Sequence, residues 1–292
     1  MKSNRKYLIV GADGQLAFSF LEQFRNQGTV FSAYKYSELD ITDFSETRQV
    51  ITQERPDVVI NCAAYNLVDD AEDDPSLAHA INAAAAGHVA DICREIGAFL
   101  VHYSSDYVFD GRKAAPYLET DQPNPLNVYG RSKLEGEKEI KKRCPRSLIF
   151  RLSWAFGFGK NNFLYKLQQW ASRNSELKIV DDEISVPTYT EDTVAFTLAA
   201  LDRGLTGLYH LTNAGQCSRY EWAVYYLGRI QSPVRVKAVK SKEFTAKAKR
   251  PRYSVMSHDK LVTAIHQPIP AWKDAVDRYI TKSQSVKGKN VL

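Results

Sequence analysis

Ser105, Tyr129 and Lys133 are the residues whose types and spacing suggest a reaction. Tyr129 and Lys133 are separated by four positions, and such a pair shares one face of a helix, so the ammonium can lie beside the phenol. A free phenol titrates near about 10, and a neighbouring cation lowers its pKa. Ser105, at the end of the preceding apolar strand, could hold a carbonyl oxygen. The three side chains could donate a proton to a ketone as a nicotinamide delivers hydride.

A glycine-containing turn near the start of the chain is the second chemical signal. An apolar run ends at Gly11, and Gly14 and Ala17 follow where a helical stretch begins. Gly11 permits a tight turn, Gly14 lets a pyrophosphate approach the backbone, and the helix start offers N–H groups to phosphates. A plain strand-to-helix turn can look the same, because the motif alone is weak evidence. The strand before it and the helix after it favour a dinucleotide site.

The residues after the second and third predicted strands bear on the cofactor. The second strand carries no carboxylate where one would bind a ribose 2′-hydroxyl and favour NAD. Lys35 could meet a 2′-phosphate instead, which favours NADPH over NADH only weakly, since a solvated lysine is an equal alternative. Asp40 and Ile41 could flank the adenine. Ala63 and Ala64 leave room for a ribose and its diphosphate, unless they only pack.

The elements that must position these groups alternate regularly in the first half of the chain. Strand patterns occupy residues 7–10, 30–34, 57–61, 98–103 and 147–152, and helical patterns occupy residues 14–27, 44–55, 75–96 and 126–143. This order predicts an α/β fold of the Rossmann type, with a doubly wound parallel sheet and right-handed crossovers. The carboxyl ends of the strands would then gather the glycine turn, Ser105 and Tyr129 at one edge.

The pattern is less regular after residue 153, and we predict a domain boundary there. Residues 1–153 would form the dinucleotide-binding domain. Residues 154–281 would form mainly a smaller C-terminal substrate-binding lid, with a chain that can cross back to the first part. Residues 282–292 are polar, and we expect a disordered tail. Ser218 and Glu221 have the spacing of a capping box at a helix start.

Composition excludes several classes of protein. The chain has 292 residues, of which 44% are apolar and 25% charged, as in ordinary globular proteins. No apolar run of about 18 residues predicts a membrane span, and the first residues do not resemble a signal peptide. The cysteines share no metal-ligand spacing; they are Cys62, Cys93, Cys144 and Cys217. We therefore expect free thiols, a cytoplasmic location and no metal site.

The charge of the chain predicts no nucleic-acid partner. The formal balance is +5, spread over the whole length, with a basic cluster only at residues 237–252. That cluster would be either a solvated surface segment or the flank of an anionic substrate. A homodimer is possible, and an ionic site at a contact between subunits stays open.

Taken together, the motifs resemble the extended short-chain dehydrogenases/reductases and, more narrowly, the dTDP-4-dehydrorhamnose reductase family. The resemblance covers residues 8 to about 255. The motifs that carry it are Gly11-x-x-Gly14-Gln15-Leu16, Glu38-Leu39-Asp40-Ile41-Thr42-Asp43, Asn61-x-Ala63-Ala64-Tyr65-x-x-Val68-Asp69-x-Ala71-Glu72, Ser104-Ser105-Asp106-Tyr107-Val108-Phe109-Asp110-Gly111, Pro125-Leu126-Asn127-Val128-Tyr129-Gly130-x-x-Lys133-x-x-Gly136-Glu137, Arg151-x-Ser153-Trp154, Asn161-Asn162-Phe163, Pro187-Thr188, Gly207-x-Tyr209-His210 and Arg250-Pro251-x-x-Ser254.

The resemblance implies an activity and a set of site residues. The activity would be the NAD(P)H-dependent reduction of the 4-keto group of a nucleotide-linked deoxysugar, with dTDP-4-dehydro-L-rhamnose as the first choice. The triad would be Ser105, Tyr129 and Lys133, although the family more often has Thr at the first place. Substrate contacts would come from Ser105, Asp106 and Trp154, the last of which otherwise reads as a core aromatic. The residues implied to line the cofactor are Gln15, Leu16, Asp40, Ile41, Ala64, Tyr65, Asn66 and Tyr103.

Departures from the family pattern keep other functions open. Glu183 and Ser185 stand where the family has Gln and Gly, and Glu183 would repel a diphosphate if it faced one. A reductase of another nucleotide sugar is therefore an alternative. A second alternative is a cofactor-binding regulatory subunit without turnover, since fold alone does not settle function. The intact triad argues against that alternative.

Overall fold

The computed structural model describes residues 5–159 and 162–289. Within them the strands are β1 (Tyr7–Val10), β2 (Phe31–Tyr34), β3 (Val58–Asn61), β4 (Phe99–Ser105), β5 (Ser147–Leu152), β6 (Ala155–Phe156), β7 (Glu176–Val180), β8 (Ile184–Ser185), β9 (Thr188–Tyr189), β10 (Gly207–His210), β11 (Cys217–Ser218) and β12 (Arg235–Val239). The α-helices are α1 (Gln15–Gln27), α2 (Phe44–Glu54), α3 (Asp70–Asp73), α4 (Pro75–His79), α5 (Ala86–Ile96), α6 (Val128–Arg143), α7 (Phe163–Ala171), α8 (Thr190–Asp202), α9 (Arg219–Arg229), α10 (Asp259–Ile265) and α11 (Trp272–Lys289).

Six parallel strands form the central sheet, in the order β10-β5-β4-β3-β1-β2. The chain runs from β1 to β2 on one side and then returns to β3 on the other side of β1. This reversal leaves a crevice beyond the carboxyl ends of β1 and β3, which is where such sheets bind ligands. The arrangement confirms the predicted Rossmann-type, doubly wound α/β fold.

Apolar clusters cover both faces of the sheet; strands β1, β3 and β5 are fully buried, whereas the edge strand β2 is partly exposed. All of β1 is buried, with Tyr7 and Ile9 in one core cluster and Leu8 and Val10 in the other. Successive side chains of a strand point to opposite faces, which explains the alternation. Side chains of α1, α8 and α10 complete the first cluster, and those of α2, α5 and α6 complete the second.

The part of the chain after β5 forms a smaller region with its own core. Three short strand pairs, β6 with β9, β7 with β12 and β8 with β11, surround an aromatic cluster centred on Trp222. The chain also returns to the first region, since β10 pairs with β5 and α8 packs in the core beside α1. The segment from 154 to 281 thus contributes to both regions.

The end of the chain differs from its prediction. Helix α11 continues to Lys289, so the disorder predicted from residue 282 is wrong for residues 282–289, and residues 290–292 lie outside the described part. The Lys282 ammonium lies 2.6 Å from the Glu22 carboxylate and 2.5 Å from that of Glu191. These contacts join α11 to α1 and α8, a stabilisation that polar composition does not reveal. The Ser218–Glu221 capping box at the start of α9 is confirmed.

Membrane and metal features can be stated for the part of the chain that the structure describes. No helix in it is both long and apolar enough to span a bilayer. No group of three or more His, Cys, Asp or Glu side chains there has the geometry to hold a metal ion. The four cysteines are free thiols.

Candidate active site

The glycine turn lies where β1, β3 and α1 meet. Gly11 has a φ of +75°, and a Cβ at this position would lie 2.5 Å from the backbone nitrogen of Ala63. Only glycine therefore lets the turn approach the end of β3 so closely. Gly14 precedes α1, and no side chain caps the first turn of this helix. The first N–H groups of a helix have no partner inside it, so they are available to phosphate oxygens.

A cleft of about 350 Å³ opens beside this turn. The predicted cofactor residues that line it are Gly11, Gly14, Gln15, Asp40, Ile41, Ala63, Ala64 and Asn66. The Asp40 carboxylate accepts hydrogen bonds from the N–H and hydroxyl of Thr42, which fixes the wall next to Ile41. Close-packed glycine, an uncapped helix start and small residues together fit a dinucleotide.

Four predicted cofactor residues have other environments. The Leu16 side chain is buried in the core, so only the backbone of this residue, in the first turn of α1, is left to contact a cofactor. The Tyr103 side chain is also buried, and its hydroxyl lies 2.9 Å from the Thr197 hydroxyl; it packs between the sheet and α8 instead of lining the cleft. Lys35 is exposed at the end of β2. Tyr65 is held beyond β3 by its backbone.

Asn82 holds the Tyr65 backbone, and sequence reasoning missed it. Its amide oxygen accepts from the Tyr65 N–H, and its amide nitrogen donates to the Tyr65 carbonyl and the Ser132 hydroxyl, each at 2.9 Å. Asn82 is buried in a π-helical segment, Ala80–Ala85, between α4 and α5. Such segments are frequent at functional sites. The sequence signal that could have indicated this role is a single polar residue, Asn82, within an Ala-rich helical segment.

The start of α6 brings Tyr129 to Ser105. Asn127 caps this helix by accepting from the Gly130 N–H at 2.7 Å. A Cβ on Gly130 would lie 2.1 Å from the Tyr107 carbonyl oxygen, so glycine lets α6 press against the turn that follows β4. The Ser105 side chain lies near enough to the Tyr129 hydroxyl to lower the pKa of the phenol. The structure thus joins two members of the predicted triad.

Burial dominates the pKa values of the triad. It raises the pKa of Tyr129 to about 12; the nearby Ser105 side chain opposes this shift and the charge of Asp106 adds to it. This upward shift is opposite in direction to the lowering expected from Lys133, and its main cause is the loss of water around the phenol. Burial also lowers the pKa of Lys133 to about 8, opposed by the charges of Glu137 and Cys62. Cys62 lines the dinucleotide cleft, whereas Lys133 is buried and is not among the residues that line it.

Asp106 supports Ser105 and is itself enclosed. One carboxylate oxygen accepts from the Ser105 hydroxyl at 3.1 Å, and the other accepts from Ser185 at 3.1 Å and Ser254 at 2.5 Å. Asp106 is 2% exposed, and burial raises its pKa to about 6. The predicted direct substrate contact does not match these surroundings, because three hydroxyls already occupy the carboxylate. Ser185, the residue that departs from the family pattern, is one of them.

Trp154 faces a second cleft, of about 540 Å³, together with Tyr129. Its indole is half-buried and packs parallel to Trp222, with ring centres 5.9 Å apart. The Arg219 guanidinium lies over the ring at 3.7 Å. Trp154 has a φ of 39°, which is rare for a bulky residue and is held here by these contacts. It therefore contributes to both the cleft and the aromatic core.

The charged lining of the second cleft was not predicted from sequence. Arg219, Lys166 and Lys178 are its cations. Glu183 also lines it; burial raises the pKa of Glu183, and the charges of Arg219 and Arg250 oppose that shift. The departure at position 183 thus faces the cleft, and the cations beside it offset its charge. Arg219 directly follows the Ser218 cap, but no local pattern marks it as a site residue.

Gln15 joins the two clefts. It lines both, and its amide nitrogen donates to the Ala155 carbonyl at 3.1 Å. Its amide oxygen is buried and has no hydrogen-bond partner among the described residues. Asn66 also lines both clefts. A dinucleotide in one cleft and a second ligand in the other would therefore meet next to Tyr129.

Comparison with known proteins agrees with this architecture. A family model, the RmlD substrate binding domain, matches residues 5–285. The spore coat polysaccharide biosynthesis protein SpsK of Bacillus subtilis is 35% identical over 280 residues, which cover 96% of this chain and 98% of that protein. A dTDP-4-dehydrorhamnose reductase of Mycobacterium tuberculosis is 36% identical over 281 residues, covering 94% of this chain and 91% of the relative.

A solved structure gives the same result. The crystal structure of dTDP-4-dehydrorhamnose reductase from Bacillus anthracis, in complex with NADP, is similar with a TM-score of 0.93 and 35% identity. The similarity covers 95% of this chain and 99% of that one. The match therefore includes both the sheet and the smaller region. This chain belongs to the family of the RmlD substrate binding domain, within the extended short-chain dehydrogenases/reductases.

Proposed function

We propose that this protein reduces the 4-keto group of a nucleotide-linked deoxysugar with NADPH or NADH, converting dTDP-4-dehydro-L-rhamnose to dTDP-L-rhamnose. The observation that carries the proposal is the position of Tyr129. Its hydroxyl lies near Ser105, and its side chain lines a cleft that shares Gln15 and Asn66 with the dinucleotide cleft. Relatives named dTDP-4-dehydrorhamnose reductase, and the NADP complex of one, support the choice of reaction.

The reaction adds a hydride and a proton across a carbonyl. The nicotinamide, when bound, supplies the hydride to the carbonyl carbon of the sugar. Tyr129 supplies the proton to the carbonyl oxygen, which becomes a hydroxyl. Because the pKa of Tyr129 is raised to about 12, the phenol holds its proton at neutral pH and is ready to act as the acid. Ser105 can become a second donor to this oxygen when its single hydroxyl proton turns from Asp106 to the carbonyl.

The surroundings of Ser105 keep its hydroxyl in position. Its oxygen accepts from the Tyr107 N–H at 3.1 Å, and its hydroxyl proton points to Asp106. Asp106 is in turn held by Ser185 and Ser254, which belong to the smaller region. The Ser105 hydroxyl beside the proton donor is therefore held from both regions of the protein, which favours a constant geometry for the reaction.

The second cleft has the chemistry that a nucleotide sugar requires. Its cations can meet the negative charges of a diphosphate, with Arg219 as the planar, two-pronged donor. Aromatic side chains around it offer stacking surfaces for a base or for the apolar face of a deoxysugar; they are Trp154, Phe163, Trp170 and Phe244. Arg219 lies close to Glu183, so its charge offsets the repulsion between Glu183 and a diphosphate.

The decisive experiment follows nicotinamide absorbance. Purified protein is mixed with NADPH and dTDP-4-dehydro-L-rhamnose, and with a panel of other nucleotide 4-keto sugars. Oxidation of NADPH with the first compound, and a dTDP-L-rhamnose product identified by mass spectrometry and NMR, would support the proposal. If NADPH is oxidised only with another sugar of the panel, that sugar and not dTDP-4-dehydro-L-rhamnose is the substrate. Tight cofactor binding without turnover on any sugar would favour the regulatory-subunit alternative.

We also propose a cytoplasmic location. All four cysteines are free thiols, and three of them are buried. Thiols persist in reducing compartments, and both a nucleotide sugar and NADPH are compatible with such a compartment. Fractionation of cells that produce the tagged protein tests this point, and recovery in the membrane or exported fraction would contradict it.

A further inference from the structure

We propose that Asp13 sets the cofactor selectivity of the dinucleotide cleft by opposing a phosphate on the 2′-oxygen of the adenosine ribose. The inference rests on the proposed function only in requiring that the cleft binds a dinucleotide. Asp13 would bind the free 2′-hydroxyl of NADH and would weaken the binding of NADPH. The chain would therefore use both cofactors, although it belongs to a family with NADP-bound members.

The evidence is a hydrogen bond between two distant parts of the chain. A carboxylate oxygen of Asp13 accepts from the Tyr36 N–H at 2.7 Å. Asp13 belongs to the glycine turn, and Tyr36 follows the end of β2. Both line the dinucleotide cleft, next to Gly14 and Leu39. The bond therefore holds a carboxylate at the end of β2, where β2 itself provides none.

The place of this carboxylate gives it a function. In folds of this kind the adenosine ribose lies at the end of the second strand, and an acidic residue there accepts a hydrogen bond from the 2′-hydroxyl. A 2′-phosphate carries a charge of about −1.5 to −2 at neutral pH and would be repelled. Asp13 also occupies the Tyr36 N–H, a donor that a phosphate could otherwise use.

Two neighbouring residues bear on this inference: Lys35 carries a charge opposite to that of Asp13, and Glu38 offers a control substitution. Lys35 precedes Tyr36 and is the cation that could attract the same phosphate. The Glu38 carboxylate accepts from the Lys35 N–H at 2.9 Å, so it is a second acid bound to an adjacent backbone N–H. Glu38 is exposed and does not line the cleft. Removal of the Glu38 charge therefore tests whether any nearby carboxylate weakens NADPH binding, or only Asp13.

The experiment measures binding in the absence of a sugar. Dissociation constants of NADPH and NADH are determined from nicotinamide fluorescence for the wild type, Asp13→Asn and Glu38→Gln. The amide oxygen of Asn can still accept from Tyr36, so the variant loses mainly the charge. We expect Asp13→Asn to bind NADPH up to about fivefold more tightly, with NADH unchanged or weaker. Glu38→Gln should keep the wild-type ratio.

Adenosine fragments separate the 2′-phosphate from the rest of the cofactor. Calorimetry with 2′,5′-ADP and with 5′-AMP should show tighter binding of 2′,5′-ADP alone in Asp13→Asn, and the gain should shrink in high salt. Asp13→Ser provides a second variant, and circular dichroism checks that each variant is folded. An unchanged NADPH/NADH ratio in both variants would overturn the inference. Wild-type protein that binds neither dinucleotide would overturn the proposed function together with it.

Discussion

The Glu137 carboxylate and the Arg151 guanidinium form a two-point ion pair in the core, with N–O distances of 2.8 and 2.7 Å. The two side chains are 0% and 2% exposed. Ser104 donates to the same carboxylate at 2.6 Å. The pair joins α6, which carries Tyr129 and Lys133, to β5. Residues that looked like part of a catalytic motif thus hold the site in place.

Loss of one partner of this pair should destabilise the protein strongly. Glu137→Gln leaves the Arg151 guanidinium buried without a counter-charge, and such changes cost about 3–5 kcal/mol. Urea unfolding followed by circular dichroism measures the free energy of unfolding. The exposed pair of Arg5 and Asp202 is the control, and Asp202→Asn should cost only a small fraction as much. Equal losses of unfolding free energy in Glu137→Gln and Asp202→Asn would show that burial does not make the first ion pair more important for stability.

Tyr129→Phe removes the hydroxyl that protonates the ketone. We expect turnover to fall by about 10²–10⁴-fold, because that is the usual contribution of a general acid. The dissociation constant of NADPH should stay near the wild-type value. Steady-state kinetics and fluorescence titration test the two parts separately. A variant that keeps more than half of the wild-type rate would exclude Tyr129 as the proton donor.

Lys133 should make cofactor binding depend on pH. Burial lowers its pKa from 10.5 to about 8, so the ammonium loses its proton as the pH rises through about 8. The folded state binds fewer protons than the unfolded state between these values, so burial of the ammonium costs stability below about pH 8, and this cost is relieved toward pH 10.5.

The corresponding measurement is a titration of cofactor affinity between pH 6.5 and pH 9.5. If Lys133 reaches the ribose, the wild type should bind NADPH more weakly above about pH 8. Lys133→Met should bind weakly at every pH, without this step, and should also lose turnover. Tyr129→Phe should keep the step. An unchanged affinity in Lys133→Met would show that Lys133 does not reach the cofactor.

Lys35 should give a modest preference for NADPH. A single exposed cation contributes little, so we expect a ratio of NADPH to NADH affinity below about tenfold. Lys35→Asp should erase or invert this preference, in the direction opposite to Asp13→Asn. Titration of both cofactors measures it. If Lys35→Asp keeps the wild-type ratio of NADPH to NADH affinity, Lys35 does not contact the 2′-phosphate.

Trp154→Ala tests whether the indole contributes mainly to substrate binding in the cleft or to the stability of the aromatic core. Trp154 is half-buried, whereas Trp222 beside it is fully buried. We expect Trp154→Ala to raise the KM of the nucleotide sugar or lower turnover, with little change in Tm. Trp222→Ala should cost about 3–5 kcal/mol of stability. Normal kinetics in a Trp154→Ala protein that melts far lower would assign Trp154 to the core.

Local patterns in the sequence were sufficient to predict the fold. The period of apolar residues and the glycine after β1 predicted the alternating strands and helices, and parallel strands with right-handed crossovers leave few topologies. The pairing of Tyr129 with Ser105 followed as well, because both come after strands or helix starts at one edge of the sheet. Boundaries moved by only a few residues, as at β4, which continues to Ser105.

Other features needed the folded chain, because they join residues that are far apart in sequence. Asp13 reaches the end of β2 through one hydrogen bond, so the missing carboxylate of β2 comes from another element. Asp106 is enclosed by Ser185 and Ser254, which no local pattern places beside it. Arg219, at the start of α9, lies over Trp154, a residue 65 positions earlier in the chain.

Periodicity and turn chemistry thus predicted which elements form and at which edge of the sheet a ligand cleft opens. The charge that each ligand meets, and the pKa of each reacting group, were decided only by tertiary packing. Burial and hydrogen bonding depend on every element that surrounds a group, and a linear pattern records just the neighbours along the chain. For the same reason, the raised pKa of Tyr129 could not be inferred from its spacing to Lys133.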